Sequence, residues 1–191
     1  AIRLGHLGKK RTDPDKFAIL VANFILGGSG ALTSRLGSEI RSSQGQAYSV
    51  WSKYGFNRVP GIFFMAAQTE ASQQVSVIQS MQRILGEMQK NGVKKEAVEA
   101  AKAAILRSLN FDYESRFAIA KDWARFEFWG YKRDYLNIFR RGIEKVDVKT
   151  VNRVLKEDFH PDHLSLLVVG PEHLWPLLKS ETSTIRRQAI P

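Results

Sequence analysis

Residues 34–52, SRLGSEIRSSQGQAYSVWS, hold an amphipathic helix, a glycine break and a strand within nineteen positions. Leu36 and Ile40 lie one helical turn apart, and Gly45 stands where a helix commonly ends in the left-handed region. The alternating run from Ala47 follows with almost no linker. This handover puts Arg41 on the last helical turn and Tyr48 at the start of the strand. One reading is surface charge beside an aromatic packing residue. The other is a pair of long polar groups converging on one point. A guanidinium fork binds carbonyls and carboxylates, and a phenol can donate to an oxyanion. Their seven-residue separation allows convergence without requiring it.

The rest of the chain supplies the layers. Ile2 to Leu7 reads as a strand. In TDPDKF, Asp13 can cap a helix with Pro14 at its first position. Phe17, Leu20, Val21, Phe24 and Ile25 continue that helix until Gly27-Gly28, and a second helix is predicted over 33–43. Strands are predicted over 47–54 and 61–69, joined by a loop with Asn57 and Pro60. The unbroken apolar run IFFMAA marks the second of these as central. From Ser72 the pattern is helical, with a stripe of Val77, Ile78, Met81, Leu85 and Met88 ending at Asn91-Gly92. Val98, Ala101, Ile105 and Leu109 form the next stripe. An aromatic-rich stretch, RFAIAKDWARFEFWGY, precedes helices over 134–141 and 147–158, the latter capped by Asp147 with Val151, Val154 and Leu155 inward. HLSLLVVG has the pattern of a buried strand. The predicted class is α+β: a mixed, mostly antiparallel sheet with helices packed on one face.

At 191 residues the chain fits one domain, able to bury roughly 70% of its unfolded surface. The domain is expected over 1–175, with a tail over 176–191 that is loosest from Thr182. No apolar run reaches the length of a membrane span. The chain opens on Ala1, directly in a strand and without a signal sequence, as expected of a fragment or a processed chain. The absence of cysteine excludes disulfides, thiolate-bound zinc and a thiol nucleophile, and suits periplasm or cytosol equally. Net charge is +10, with Lys and Arg spread as short pairs. That spread fits a solvated face or an acidic protein partner better than a nucleic-acid-binding module, since no basic arm or RNA-stacking motif accompanies it.

Autonomous catalytic chemistry is hard to find. His160 and His163 flank Pro161-Asp162 without a third ligand at helical spacing, and His6 and His173 stand alone. Neither H-E-x-x-H nor H-x-x-E-H occurs, nor does G-x-S-x-G. LGGSG follows a helix and lacks the lysine of a phosphate loop, so it reads as a helix stop and hinge.

The ordered motifs resemble the second domain of the pitrilysin-type zinc metallopeptidases, or inverzincins. These include bacterial zinc proteases and the mitochondrial processing peptidases. The strand ending in Gly5-His6, the D-P-D helix start, L-G-G, S-R-L, I-R and G-x-A-Y-S carry the resemblance, followed by GIFFMAAQTE, GVKKEAVEAAKAAIL and HPDHLSLLVVGP. It spans about residues 2–171. Gln46 departs from the hydrophobic residue that the family often has there.

In that family two homologous halves close like a clam shell, and only the first binds zinc, through H-x-x-E-H and a distant Glu. The resemblance implies that Arg41 contacts a substrate carbonyl and that Tyr48 donates to the tetrahedral oxyanion. It implies no metal or cofactor site in this chain, zinc in a homologous partner domain or subunit, and an unstructured peptide as substrate. Alone, the chain is expected to be inactive. Some members of the family are non-catalytic scaffolds, which leaves a core-subunit role as the alternative. Bacterial periplasm or cytoplasm is the expected compartment.

Overall fold

The computed structural model describes residues 1–28, 30, 32–112, 115–171 and 176, with only the backbone given for 110–112. His173 and nearly all of the expected tail lie outside the described residues. Four strands form one sheet: β1 (Ile2–Leu7), β2 (Ser49–Gly55), β3 (Ile62–Gln68) and β4 (Ser165–Val168), in the order β2-β3-β1-β4. All three ladders are antiparallel, and an isolated parallel bridge joins Lys10 to Asn57. β3 is central, as its apolar run predicts.

Six α-helices are described: α1 (Lys16–Asn23), α2 (Gln74–Asn91), α3 (Lys95–Asp112), α4 (Arg116–Trp129), α5 (Tyr135–Glu144) and α6 (Val148–Asp158). The stripe of α2 is buried from Val77 to Met88, and so are Val98, Ala101 and Ile105 of α3. Asp147 caps α6, its Oδ1 accepting from the Thr150 amide at 2.8 Å. Val151, Val154 and Leu155 turn inward one helical turn later. α1 opens two residues beyond the predicted start. Asp13 uses its carboxylate on the Asp15 amide at 2.9 Å, which closes a turn and delays the helix to Lys16. The helix then widens into a π-helical turn over Phe24–Gly28 and so runs to the glycines, as predicted.

These helices bury one face of the sheet, carrying Ile2, Leu4, Val50, Tyr54, Phe63, Met65 and Ala67. Phe63 is the meeting point. Its ring centroid lies 5.0 Å from Phe159, 5.8 Å from Tyr54 and 4.9 Å from His6. Such tilted and edge contacts add roughly 0.5–1.5 kcal/mol per pair beyond area burial. Burial also pushes the Tyr54 phenol well above its ordinary pKa. The opposite sheet face differs: Leu7, Ile62 and Leu167 remain exposed there. The buried-strand expectation for HLSLLVVG is therefore corrected. β4 is an edge strand, with Leu166 and Val168 half-buried toward the helices and Leu167 outward.

α4 touches the body mainly through its C-terminal end. Gly130 ends it in the left-handed region, and the guanidinium of Arg58 donates to the Phe128 carbonyl at 2.8 Å. Arg11 donates to the Trp129 carbonyl and stacks over Trp129 and Tyr131. The two arginines thus satisfy carbonyls that a helix end leaves open.

His6 does not stand alone, contrary to the sequence expectation. Its Nδ1 lies 2.7 Å from the Leu7 carbonyl and its Nε2 accepts from the His160 amide at 3.2 Å. The pair fixes a neutral ring with the proton on Nδ1. Desolvation, the larger influence, and the neighbouring His160 hold the His6 pKa below its usual 6.5. The unfolded chain then binds more protons than the folded one in mild acid, so the contribution of neutral His6 is full above pH 6.5 and falls away as pH drops through the depressed pKa. His6→Gln keeps an acceptor and does not titrate. The loss of Tm between pH 7 and pH 5 should be smaller in this variant than in the wild type. Equal losses would show that His6 does not couple to folding.

Candidate functional site

The stretch that opens the sequence argument folds into a wide turn. Ser34 starts it, its Oγ accepting from the Gly37 amide at 3.1 Å. The predicted helix over 33–43 becomes π-helical over Gly37–Ser43, with the Gln44 amide reaching back five residues to the Glu39 carbonyl at 3.1 Å. Leu36 and Ile40 are buried, as their spacing predicts. Gly45 has φ +62°, the left-handed conformation that ends the helix without a Cβ clash. The Gln46 amide then donates to the Ile40 carbonyl at 2.9 Å, and the Tyr48 amide to the Gln68 carbonyl at 2.8 Å.

Arg41 and Tyr48 flank this pinned turn. Arg41 follows the residue whose carbonyl takes the Gln46 amide, and Tyr48 begins where the turn joins β3. Tyr48 is 70% exposed, and Arg41 is exposed too. Neither side chain has a polar partner among the described residues. The nearby acid is already engaged, since Glu39 pairs with Arg83, which also reaches Glu87 at 3.0 Å. A free guanidinium and a free phenol thus stand at the two ends of one short turn, each able to donate to a group from outside.

Gln46 contributes what the sequence does not reveal. Its side-chain amide donates to Ser76 Oγ at 2.8 Å, and its backbone carbonyl accepts from the Thr69 hydroxyl. It therefore joins the turn to the start of α2 and the end of β3. A hydrophobic residue at this position would pack but could not make the bond to Ser76. Its partners Ser76 and Thr69 are distant in the sequence, so no local pattern signals that role.

No group of three or more His, Asp or Glu side chains able to hold a metal exists among the described residues. His160 and His163 have ring centroids 6.2 Å apart, and the nearby Asp158 is buried against Lys9 Nζ at 2.7 Å. These residues do not fit a zinc site. No helix among the described residues is long and apolar enough to cross a membrane.

Comparison with known proteins assigns the family. The Peptidase M16 inactive domain matches residues 1–105, and the chain belongs to that family. It is 25% identical over 173 residues to the uncharacterized zinc protease YmxG of Bacillus subtilis, covering 91% of this chain and 42% of that protein. It is also 25% identical over 150 residues to the non-peptidase homolog YmxG of Helicobacter pylori, covering 78% and 34%. Among solved structures, a peptidase M16 inactive domain from Pseudomonas fluorescens superposes with a TM-score of 0.77 at 27% identity, covering 86% of this chain and 39% of that one. The chain spans less than half the length of the curated relatives it matches.

The turn is sensitive to its glycine. An alanine at position 45 meets no atom within 4 Å but must adopt φ +62°. Gly45→Ala should therefore destabilise the chain by about 1–2 kcal/mol through backbone strain alone. Chemical denaturation checks this, and no change in the unfolding midpoint would mean that the turn relaxes freely.

Proposed function

We propose that this chain is the non-metal half of a zinc metalloendopeptidase. It completes the active site opposite a zinc-bearing domain or subunit that carries H-x-x-E-H, and the assembly cleaves unstructured peptides. The observation that carries this reading is the pair of exposed donors at the two ends of the 41–48 turn, without a polar partner among the described residues, in a domain of the Peptidase M16 inactive family. The absent half supplies the metal and the activated water. Arg41 holds a backbone carbonyl of the bound peptide. Tyr48 donates its phenolic hydrogen to the oxyanion as the scissile carbonyl becomes tetrahedral. An exposed tyrosine on a pinned backbone suits that task, because a donor already aimed at the developing charge needs no reorganisation.

A scaffold role is the second reading, favoured by one observation: a relative of comparable similarity is named a non-peptidase homolog. A nucleic-acid-binding role has less support. Lys9, Arg83, Lys102, Arg125, Arg141 and Arg153 are engaged in ion pairs with carboxylates of the chain itself.

Two measurements test the proposal. The isolated chain should hold no stoichiometric zinc and cleave no peptide. One tightly bound zinc per chain, lost in His160→Ala, would contradict it. When the chain is combined with its zinc-bearing half, Tyr48→Phe should lower kcat by roughly 10²–10³ with little change in KM, the usual effect of losing one oxyanion donor. Arg41→Ala removes a contact that bound substrate already makes, so KM should rise as well. Wild-type turnover in both variants would leave the scaffold reading.

A further inference from the structure

Helix α4 carries apolar side chains on two opposite sides, and the described residues cover one of them. Ala118, Asp122, Phe126 and Trp129 form the inward stripe: Asp122 and Phe126 are buried, Ala118 and Trp129 half-buried. Phe117, Ala120, Ala124 and Phe128 form a second stripe that is exposed throughout, Phe117 to 77% and Phe128 to 68%. At about 100° per residue the two stripes lie back to back. A helix that is apolar on both sides belongs where both sides are covered. The outward stripe is also firmly presented. Ser115 caps the helix, its Oγ accepting from the Ala118 amide at 3.0 Å, and Gly130 closes it. The Arg58 guanidinium lies 5.5 Å from the Phe128 ring centroid and holds the far end of the stripe. Exposed apolar side chains collected in this way mark an interaction surface.

We propose that this stripe is a contact between two copies of the chain, whose α4 helices pack antiparallel across a two-fold axis. The shape of the stripe is its own complement. An axis passing between positions 122 and 123 sets Phe117 of one copy beside Phe128 of the other, twice, and brings the small Ala120 and Ala124 together at the centre, where the helices can approach closely. The charge is self-complementary as well. Arg116 and Glu127 share one edge of the stripe with Trp123, and neither has a polar partner among the described residues. Eleven residues separate them, about 16 Å of helix, which is too far for a pair within one chain. A two-fold axis of this kind lays each edge against the same edge of the other copy. Arg116 of one copy then falls within about two residues' rise, roughly 3 Å, of Glu127 of the other. Finally, the body of the chain lies behind the inward stripe and grips α4 mainly at its C-terminal end, through Arg11 and Arg58. Two copies therefore meet helix to helix with their bodies outside. On the opposite edge Lys121 comes near its own counterpart. That repulsion and the small area of a single helix pair place the contact in the weak, reversible class.

Sedimentation of the chain over a concentration series, from about 1 to 200 μM, tests this: the average mass should climb from monomer toward dimer. Ala124→Arg places a long charged side chain at the point of closest approach and should raise the dimer Kd at least tenfold, by an order-of-magnitude estimate of about that size. Ala100→Arg adds the same charge to the exposed side of α3 and should leave Kd unchanged. Arg116→Glu and Glu127→Arg each set like charges across the contact and should weaken it roughly three- to tenfold. The double variant, Arg116→Glu with Glu127→Arg, should return to near the wild-type Kd. Because the two positions are too far apart to meet in one chain, that recovery can come only from the second copy. All these sites are exposed, so the Tm of each variant should match that of the wild type. A chain that stays monomeric throughout the series would overturn the proposal, as would a dimer indifferent to Ala124→Arg, or single charge reversals whose loss the double variant does not recover. A monomeric chain in which Ala124→Arg instead weakens binding to the zinc-bearing half would assign the stripe to that half. None of these readings involves turnover, so the outcome is independent of the roles of Arg41 and Tyr48.

Discussion

The packing of helices on a single sheet face is the constraint from which the other features follow. Phe63 concentrates it: one ring on central β3 meets Tyr54 of β2, His6 of β1 and Phe159 at the end of α6. Four distant segments of chain are thereby brought to one point, and each arrives with its direction already set by a ladder or a helix. Lys9 and Asp158 close the same corner with an ion pair whose acid is almost wholly buried. A buried carboxylate of this kind adds little net stability when paired but costs several kcal/mol if its partner is lost, so the corner specifies one arrangement. Because β1 and β3 are held there, β2 has a fixed edge position, and the turn that leads into it has a fixed root.

That root gives two exposed side chains their meaning. A guanidinium and a phenol at the surface of a protein are ordinary. Here the backbone between them is closed by the Ile40–Gln46 hydrogen bond, tied to α2 through Ser76 and joined to β3 through Gln68. Under the proposed function, a backbone so constrained lowers the ordering cost that a flexible loop would meet on binding substrate. The π-helical widening over Gly37–Ser43 belongs to the same design, since an extra residue in the turn changes where Arg41 projects relative to a regular helix.

Much of this was legible in the sequence, for identifiable reasons. The stripes of α2, α3 and α6 obey a 3.6-residue period, and Asp147 caps where an acid before an apolar run should cap. The central place of β3 follows from a run with no polar residue between Ile62 and Ala67. The elements that escaped are those decided by non-local contacts. Nothing in the local pattern distinguishes an α-turn from a π-turn at 37–43, and Asp13 could cap a helix as readily as close a turn before it. His6 reads as solitary because its partner, His160, is 154 positions away. HLSLLVVG escapes for a more instructive reason: its composition is that of a strand covered on both faces, while the described residues cover one. Of the candidate site, the residue types and their flanking of a turn were readable from the sequence. Their roles rest on family resemblance.

The central claim is that Tyr48 faces the reaction at another half's zinc. Nitration of exposed tyrosines, read by peptide mass spectrometry, tests it most directly. Tyr48 should react readily in the isolated chain, where it is 70% exposed. It should become strongly protected when the zinc-bearing half and a phosphinic peptide, a mimic of the tetrahedral transition state, are both added. Protection should be weaker with the zinc-bearing half alone. If Tyr48 nitrates at the same rate in all three conditions while the assembly binds the phosphinic peptide tightly, Tyr48 does not reach the reacting carbonyl and the account is wrong.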